Sequence, residues 1–317
     1  MKRTVLILGG AGFIGSNCAE RFVDEGWNVI IVDGLLTDTG GSIENVKHLL
    51  PQITFIEESV QTASGLIEII DKSDLIIDSM AWTLHHKAID NPDYDLLLNV
   101  SSHVSLIKML KQCPGKNVIY LGTRGQYGNP GVDVIVEDTP MLPQDIQGIN
   151  KLAGESYFRF YAKQYKLNVA SLRIANCFGK NQLTEGDDIG LVGSFIRDAM
   201  NDKLVEIYGS NRKRPLIYVN DLIDIIYRMS ERSFEGFSCY NINAWNMLIQ
   251  DMAEIIIKIT GKGSFSVREL PEHIRNMDVG VADFDSSKIT SVLGDLKFTP
   301  YEKAIEQTLK YFKNKTG

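Results

Sequence analysis

The sequence predicts an α/β fold in which helices cover a parallel β-sheet. In the first half of the 317-residue chain, apolar runs of strand length alternate with segments of helical periodicity, a pattern typical of βαβ units and parallel sheets. A glycine-rich turn follows the first apolar run and precedes a helical segment, as it does in doubly wound sheets. These two observations together predict a Rossmann-type doubly wound parallel sheet.

Short apolar runs are predicted to form the strands of this sheet. Because they are rich in Val, Ile and Leu, they suit strands that are buried on both faces. The runs cover residues 5–8, 29–32, 54–56, 75–77, 118–121 and 169–172.

Helical periodicity is clearest between and after these runs. Helices are predicted over residues 94–110, 147–165 and 248–260. The first has one apolar side, formed by Leu98, Val104, Ile107 and Leu110. Beyond about residue 180 the pattern becomes irregular, with turn-rich stretches at 179–193 and 209–215. We therefore predict a nucleotide-binding domain over residues 1–175 and a smaller C-terminal region, 176–317, that returns some segments to it.

Composition and charge exclude several classes of function. The chain carries 33 Lys and Arg against 40 Asp and Glu, a net charge of −7. An acidic chain without a basic tract is not expected to bind nucleic acid. The first apolar run is too short for a signal peptide or a membrane span, so we expect a cytoplasmic protein without a membrane partner. The four cysteines form no CxxC pair, which predicts neither a disulfide framework nor a metal site.

The turn after the first predicted strand predicts a dinucleotide site. Gly9, Gly12 and Gly15 stand three residues apart, where they would supply a tight turn, close approach to a pyrophosphate and close helix packing. Phe13 and Ile14 open the following helix, whose first N–H groups and positive dipole would face the phosphates.

A carboxylate follows the second predicted strand. Asp33 lies about 20 residues beyond the turn, where a carboxylate can accept hydrogen bonds from an adenosine ribose. A 2′-phosphate would meet like charge there, and no arginine follows immediately, so the expected cofactor is NAD rather than NADP. Ser59, Val60, Met80 and Ala81 follow the next two strands, and their backbone is expected to contact the cofactor.

Further segments follow in a characteristic order. They read YLGTRGQYG over residues 120–128, KLAGE over 151–155, RIANCFG over 173–179 and RPLIYVND over 214–221, and the tail runs from Leu293-Gly294 to Phe298-Thr299-Pro300. With the glycine spacing GxxGxxG, these motifs resemble the extended short-chain dehydrogenase/reductase family. The resemblance is to the branch whose members act on nucleotide-activated sugars as epimerases, dehydratases and reductases.

This resemblance implies roles for individual residues. Thr123 corresponds to the catalytic Ser or Thr, and Lys151 to the active-site lysine, which also contacts the cofactor. Asn176 and Arg214 correspond to residues that hold the sugar diphosphate, and Asp221 belongs to the same substrate-binding segment. The implied partner is a nucleoside-diphosphate sugar.

One position departs from the family pattern. Family members place a catalytic tyrosine four residues before the lysine, and that position is Gln147 here. The tyrosine phenolate removes a proton from a sugar hydroxyl, whereas a glutamine amide can orient the hydroxyl but does not ionise. His85 and His86 follow the fourth predicted strand, where the family has substrate-facing residues, and either could replace the base. An ordered water is the alternative.

Three interpretations of function remain open. The first is a net 4-dehydrogenase or ketoreductase that acts at the sugar's C4 hydroxyl, retains its NAD and returns the hydride to a second small substrate. It would serve sugar biosynthesis for bacterial surface polysaccharides. The second is a nucleotide-sugar 4-epimerase, and the third is an inactive protein that binds NAD and nucleotide sugar. A dehydratase is less favoured, because Arg124 and Gly125 stand where dehydratases have Asp-Glu. The sequence names neither the nucleotide nor the sugar.

The family resemblance also implies a homodimer. The predicted helices over 94–110 and 147–165 correspond to those that pair across a two-fold axis in family dimers. Phe158 and Tyr161 are expected to be exposed and to form a self-complementary apolar patch.

Overall fold

A computed structural model describes residues 2–186, 189–209, 211–272 and 282–316. Its strands are β1 (Thr4–Leu8), β2 (Asn28–Val32), β3 (Ile53–Ile56), β4 (Leu75–Asp78), β5 (Asn117–Thr123), β6 (Val134–Ile135), β7 (Asn168–Ile174), β8 (Asn176–Phe178), β9 (Leu204–Tyr208), β10 (Lys213–Tyr218), β11 (Phe237–Ile242), β12 (Trp245–Leu248), β13 (Ser264–Arg268) and β14 (Asp283–Phe284).

The helices surround these strands. They are α1 (Phe13–Asp24), α2 (Leu66–Lys72), α3 (His85–Asp90), α4 (Pro92–Leu96), α5 (Ser102–Leu110), α6 (Ile146–Tyr165), α7 (Leu191–Met200), α8 (Val219–Ser230), α9 (Ile249–Thr260), α10 (Ser287–Leu293) and α11 (Tyr301–Thr316). Among the residues described, no helix combines the length and the apolarity that crossing a lipid bilayer requires.

A seven-stranded parallel sheet forms the centre of the fold, in the order β11-β7-β5-β4-β1-β2-β3. Every pairing in it is parallel, and all six predicted strands belong to it. The chain leaves β1 in one direction through β2 and β3 and then crosses to β4 on the other side of β1. In such sheets, ligands bind where the strand order reverses, beyond the carboxyl ends of the strands. The predicted Rossmann-type fold is confirmed.

The central strands alternate their side chains between two cores. Val5 and Ile7 of β1 pack on the side of α1 and α8, whereas Leu6 and Leu8 pack on the side of α2, α5 and α6. Because both faces are covered by helices, nearly continuous apolar runs are stable as strands.

Residues 92–110 are helical throughout, but the helix is not regular. A π-helical turn over Leu97–Ser101 joins α4 to α5. Of the predicted apolar side, Leu98, Ile107 and Leu110 are buried and Val104 is half-buried. The π-turn directs Asn99 into the protein, where its side chain is completely buried.

One residue of the predicted dimer patch lies in the core. Phe158 is completely buried, with its ring 5.0 Å from that of Tyr120, so the prediction that it is exposed was wrong. The position faces the sheet, and the burial of a large aromatic ring there stabilises the packing of α6. Tyr161 is half-buried and stacks on Tyr165.

The later half of the chain builds small sheets and also returns to the large one. β8, β10 and β12 form a three-stranded sheet, β9 pairs with β13, and β6 pairs with β14. β11 extends the central sheet. The turn-rich stretches are shorter than predicted, since α7 begins at Leu191 and β10 at Lys213. The charged residues and Pro215 at the start of β10 do not resemble a strand pattern, although the strand is buried from Arg214 onward.

Candidate functional site

A cavity of about 350 Å³ lies at the carboxyl ends of the central strands. It brings together predicted site residues from positions far apart in the sequence. Those that line it are Gly9, Gly12, Phe13, Ile14, Asp33, Ser59, Val60, Met80, Ala81, His85, Thr123, Gln147, Lys151 and Asn176. Gly15, His86, Arg214 and Asp221 lie outside this lining.

The glycine turn is built as its spacing predicts. Gly9 has a φ of +72°, and a Cβ there would lie 3.1 Å from the backbone of Met80. A Cβ on Gly15 would lie 2.3 Å from the Gly9 carbonyl oxygen. Gly15 does not line the cavity, because it packs α1 against the turn. Gly9 and Gly12 face the cavity.

The start of α1 and the end of β2 meet beside this turn. Gly12 is the N-cap of α1 and provides no capping side chain, so the first turn retains donors suited to a pyrophosphate. Asp33 accepts hydrogen bonds from the backbone N–H groups of Ala11 and Leu35, both at 2.9 Å. Burial raises the pKa of Asp33, and these two hydrogen bonds oppose the shift. Each carboxylate oxygen can accept a further hydrogen bond from a ribose hydroxyl.

Thr123 is held by a capping box at the end of β5. Its backbone N–H donates to the Gln126 side-chain oxygen at 2.9 Å, and its hydroxyl oxygen accepts from the Gly125 N–H at 3.1 Å. A Cβ on Gly122 would lie 2.7 Å from the same Gln126 oxygen, so a side chain there would displace the Gln126 amide from this bond. The box leaves the Thr123 hydroxyl proton to be donated to a bound group.

A buried ion pair between Glu155 and Arg173 supports this turn through Gln126. The Gln126 amide donates to Glu155 at 3.0 Å, and Glu155 receives two hydrogen bonds from the Arg173 guanidinium, at 2.6 and 3.0 Å. Burial alone would raise the pKa of Glu155, but the hydrogen bonds and charge of Arg173 outweigh it and lower the pKa. Both residues lie within the family motifs, yet the sequence reasoning did not assign them to the site.

Lys151 is a buried cation whose ammonium group has no hydrogen-bond partner among the described residues. Its exposed fraction is 4%, and its Nζ lies 4.5 Å from the centre of the Tyr120 ring. Burial lowers the pKa of Lys151 to about 8, and the negative charges of Asp78, Asp95 and Glu155 limit the shift. A buried ammonium without acceptors is costly, and ribose hydroxyls would supply the missing acceptors.

Gln147 is oriented by a neighbouring backbone. Its Nε2 donates to the Trp82 carbonyl oxygen at 3.0 Å. Asn99, in the π-helical turn, donates to the same carbonyl at 2.9 Å and accepts from the Trp82 N–H at 3.0 Å. Because a carbonyl oxygen only accepts hydrogen bonds, the NH2 group of the Gln147 amide must face Trp82. Trp82 and Asn99 were not predicted as site residues, since only the fold brings them to Gln147.

The structure separates the two candidate histidines. His85 lines the cavity, and its Nδ1 lies 2.7 Å from Oδ2 of Asp145. His86 is exposed on α3 and does not line the cavity, because successive residues of a helix point in different directions. Asp145 was not predicted, although an Asp before a helical segment is a recognisable N-cap.

The predicted substrate residues are divided in the same way. Asn176 lines the cavity at the start of β8, which pairs in parallel with β10 through Asn176 and Leu216. Arg214 lies two residues before Leu216 on β10 and is 8% exposed. Asp221 instead accepts hydrogen bonds from the Thr299 N–H and hydroxyl at 3.0 and 2.8 Å. Its carboxylate thus joins α8 to the segment before α11, and the substrate contact predicted for Asp221 stays a prediction.

These features fit a dinucleotide. Within the described residues, the glycine turn leaves little room for Cβ atoms, α1 begins without a capping side chain, Asp33 follows β2 beside the turn and the Lys151 ammonium has no acceptor. The first three lie at the ends of β1 and β2, and Lys151 lies near the end of β5. The cavity therefore has one end suited to an adenosine diphosphate and another suited to the reacting ring.

Comparisons with known proteins agree with this geometry. The family model described as NAD dependent epimerase/dehydratase family matches residues 5–243. The chain is 30% identical over 239 residues to a dTDP-4-dehydro-6-deoxyglucose reductase of Escherichia coli, covering 74% of each chain. It is 24% identical over 317 residues to a UDP-glucose 4-epimerase of Mycolicibacterium smegmatis, covering 98% of this chain and 99% of that one.

A solved structure shows the same fold over almost the whole chain. The UDP-N-acetylglucosamine 4-epimerase of Methanobrevibacter ruminantium M1, solved with UDP-N-acetylmuramic acid, superposes with a TM-score of 0.89 at 23% identity. The superposition covers 99% of this chain and 100% of that one. The family match covers most of the chain and includes the glycine turn, the Thr123 turn and Lys151. The chain belongs to the NAD-dependent epimerase/dehydratase family, in the extended short-chain dehydrogenase/reductase branch.

Proposed function

We propose that this enzyme is an NAD-dependent nucleotide-sugar oxidoreductase that acts at the C4 hydroxyl of a nucleoside-diphosphate sugar. Its net reaction is a 4-dehydrogenation or 4-keto reduction with a retained cofactor, in sugar biosynthesis for bacterial surface polysaccharides. The observation that carries the proposal is Gln147, an amide with a defined orientation at the position where the family has an ionisable tyrosine. Epimerisation requires proton transfer in both directions within one catalytic cycle, so it depends on that tyrosine more than a net redox reaction does.

The cofactor would be held along the ends of the central strands. The backbone at Gly9 and Gly12 and the N-terminus of α1 would bind the pyrophosphate, and Asp33 would bind the adenosine ribose. Lys151 would donate to the nicotinamide ribose, which satisfies its buried ammonium. When bound, NAD would supply the hydride chemistry at the sugar carbon. The residues of the chain would bind and orient the cofactor and the sugar, and they would exchange the hydroxyl proton.

The substrate would be held by its diphosphate and by its reacting hydroxyl. Asn176 and Arg214 lie on adjacent strands, and a guanidinium can bind a phosphate through two parallel hydrogen bonds. Thr123 and Gln147 would hold the reacting hydroxyl between a donor and an amide. The names of the relatives, two of them 4-epimerases and one a 4-dehydro-sugar reductase, support the C4 position. A retained cofactor would also require a second small substrate that accepts the hydride.

A 4-epimerase is the second candidate. The similarity to the Mycolicibacterium smegmatis UDP-glucose 4-epimerase extends over nearly the full length of both chains. An epimerase would return the hydride to the opposite face of the same sugar, so it would need no second substrate.

The first experiment is an absorbance measurement at the band of reduced nicotinamide, near 340 nm. The purified enzyme, with its NAD content established, is mixed with UDP-, GDP-, CDP- and dTDP-sugars in turn. Growth of the band with one sugar supports the proposal and identifies the nucleotide. A new sugar epimer without net band growth favours the epimerase. The absence of both, including with 4-keto sugars and reduced cofactor, contradicts both proposals and favours a binding protein.

Gln147→Tyr distinguishes the two activities, with Gln147→Phe as the matched ring control. Restoring the phenol beside Lys151 is expected to raise the epimerisation rate at least tenfold, while the Phe variant does not. If Tyr has no more effect than Phe, the site transfers its proton by another route.

We also propose a homodimer formed through α4 and α6. Exposed apolar side chains, which are uncommon in such number on one helix pair of a monomer, support a self-complementary surface. They are Leu96, Leu97, Ile149, Tyr157 and Phe160.

A further inference from the structure

Two hydrogen bonds connect the same two segments of the cavity wall. The side chain of Gln147 donates to the carbonyl of Trp82, and three residues after Trp82 the ring of His85 contacts Asp145. The segments 82–85 and 145–148 therefore place an amide and an imidazole in the lining of the same cavity. The amide cannot exchange a proton in the relevant pH range, but the imidazole can.

Asp145 makes two contacts that hold it in one position. Its Oδ1 accepts from the Gly148 N–H at 2.6 Å as the N-cap of α6, and its Oδ2 contacts Nδ1 of His85 at 2.7 Å. The side chain of Asp145 is 21% exposed and that of His85 is 44% exposed, so the contact lies at the rim of the cavity, where water reaches the imidazole. The cap and the helix dipole both favour the ionised carboxylate.

The carboxylate defines which ring nitrogen of His85 carries the proton. Burial alone would raise the pKa of Asp145, but the hydrogen bond and charge of His85 and the Gly148 N–H lower it. An ionised carboxylate only accepts hydrogen bonds. His85 therefore donates from Nδ1, and in the neutral ring Nε2 is the basic nitrogen.

We propose that Asp145 is a positioning residue that holds His85 as the acid/base group of the reaction, in place of the family's tyrosine. This inference rests on the proposed function. In the oxidation, the O–H bond of the sugar hydroxyl breaks and its proton passes to Nε2 of His85. The C4–H bond also breaks, its hydrogen leaves with the electron pair as a hydride that bound NAD would accept, and a C=O bond forms. Reduction reverses each step, with the imidazolium returning the proton.

The other groups near the cavity are less suited to this role. His103 also pairs with a carboxylate, Asp78, at 2.7 Å, but both are completely buried and His103 does not line the cavity. Lys87, on the same helix as His85, pairs with Asp38 at 2.9 Å. Lys151 lines the cavity, but the cofactor ribose accounts for its ammonium group.

Asp145→Asn tests the positioning role, because Asn caps helices as well as Asp does but carries no charge to stabilise an imidazolium. In the NAD-loaded enzyme with its reactive sugar, the single-turnover rate of band growth near 340 nm is expected to fall more than tenfold. In His85→Gln it is expected to fall by on the order of 10²-fold or more. Substrate affinity and thermal midpoint are expected to stay near wild type in Asp145→Asn. Asp90→Asn, an exposed carboxylate at the end of α3, is the matched control.

A second readout does not depend on turnover. In holoenzyme with ¹⁵N-labelled histidine, the ring signals of His85, assigned by their loss in His85→Gln, are expected to show the Nδ1–H tautomer when neutral. That preference is expected to weaken in Asp145→Asn. An Nε2–H tautomer in the wild type, or undiminished band growth in Asp145→Asn, overturns the inference. Failure of the proposed function instead shows as no reduced nicotinamide in the wild type with any sugar, whatever the tautomer of His85.

Discussion

At the scale of one residue, the buried ammonium group of Lys151 favours the binding of a ligand in the cavity. Its ammonium group is buried over the Tyr120 ring, and no residue in the described part of the chain accepts a hydrogen bond from it. Three carboxylates attract it, yet burial has the larger effect and lowers its pKa to about 8. The free enzyme therefore retains a charge in an unfavourable place, and a ligand that supplies acceptors there gains affinity.

Replacing Lys151 by methionine is expected to stabilise the cofactor-free protein. The pKa of the lysine is lower in the folded than in the unfolded state, so burial of its charge costs stability at pH 7, by about 3 kcal/mol. Between pH 8 and 10.5 only the unfolded state keeps the proton, so wild-type stability rises there and the difference between variants narrows. Urea denaturation at pH 7 and pH 10 measures both effects.

The control for this prediction is Lys163→Met, an exposed lysine on the same helix, which is expected to change stability little. Lys151→Met is also expected to bind NAD more weakly, because the ammonium group that destabilises the free protein is the one proposed to donate to the nicotinamide ribose. A destabilised Lys151→Met variant at pH 7 would contradict the account of this residue.

At the scale of elements, the turn that carries Thr123 is held by a chain of buried hydrogen bonds. The turn at the end of β5 is connected through Gln126 to Glu155 on α6, and Glu155 is connected to Arg173 on β7. A Cβ on Gly148 would lie 2.7 Å from the Gly125 carbonyl oxygen, so α6 approaches the turn directly. One strand end, one helix and one neighbouring strand thus position Thr123, Gln147 and Lys151 together.

Glu155→Gln is expected to lower the free energy of unfolding by roughly 3–5 kcal/mol, because it leaves the Arg173 guanidinium buried without its counter-charge. The pKa of Glu155 is lowered from its ordinary value of 4.5. The ionised carboxylate therefore stabilises the folded state above pH 4.5, and this contribution is lost as the pH falls through the lowered pKa. Urea denaturation at pH 7 and in acid measures the difference between wild type and variant.

Arg159→Ala provides the comparison. Arg159 contacts the same carboxylate at 3.4 Å, but its side chain is 55% exposed, so its loss is expected to cost less than about 1 kcal/mol. Equal effects of the two substitutions would show that the buried pair does not stabilise the turn.

At the scale of the whole molecule, the strand ends form the cavity and the far side of α6 remains apolar. Phe160 is 59% exposed and Ile149 is 52% exposed, and Leu97 on the neighbouring helical turn is 45% exposed. Phe158, on the opposite side of the same helix, is completely buried. α6 therefore contributes to the site, the core and the proposed dimer surface.

Phe160→Asp is expected to convert the dimer to a monomer, because a charge at the centre of an apolar interface is not compensated. Light scattering coupled to size-exclusion chromatography measures the mass. Val292→Asp, an exposed apolar position on α10, is the control and is expected to keep the dimer. A monomeric wild-type protein would contradict the proposal.

The central sheet and the dinucleotide end of the site could be predicted from the sequence because their signals are local. Buried parallel strands require continuous apolar runs, and close backbone approach requires glycine at Gly9, Gly12 and Gly15, so both requirements are visible along the chain. The Thr123 and Lys151 motifs were recognisable for the same reason. The glutamine at position 147, four residues before Lys151, was also visible, because that spacing is local.

The remaining features depend on contacts between distant segments. Residues 157–161 include four aromatic side chains, and only packing against the sheet buries Phe158 and leaves Phe160 exposed. Asp221 was predicted to bind substrate, and its hydrogen bond to the Thr299 N–H comes from a segment that is distant in the sequence. His85 and His86 are equivalent by type, but the fold brings His85 alone to the cavity wall and to Asp145. Side-chain direction and distant partners follow from the packing of the whole chain, which no local pattern encodes.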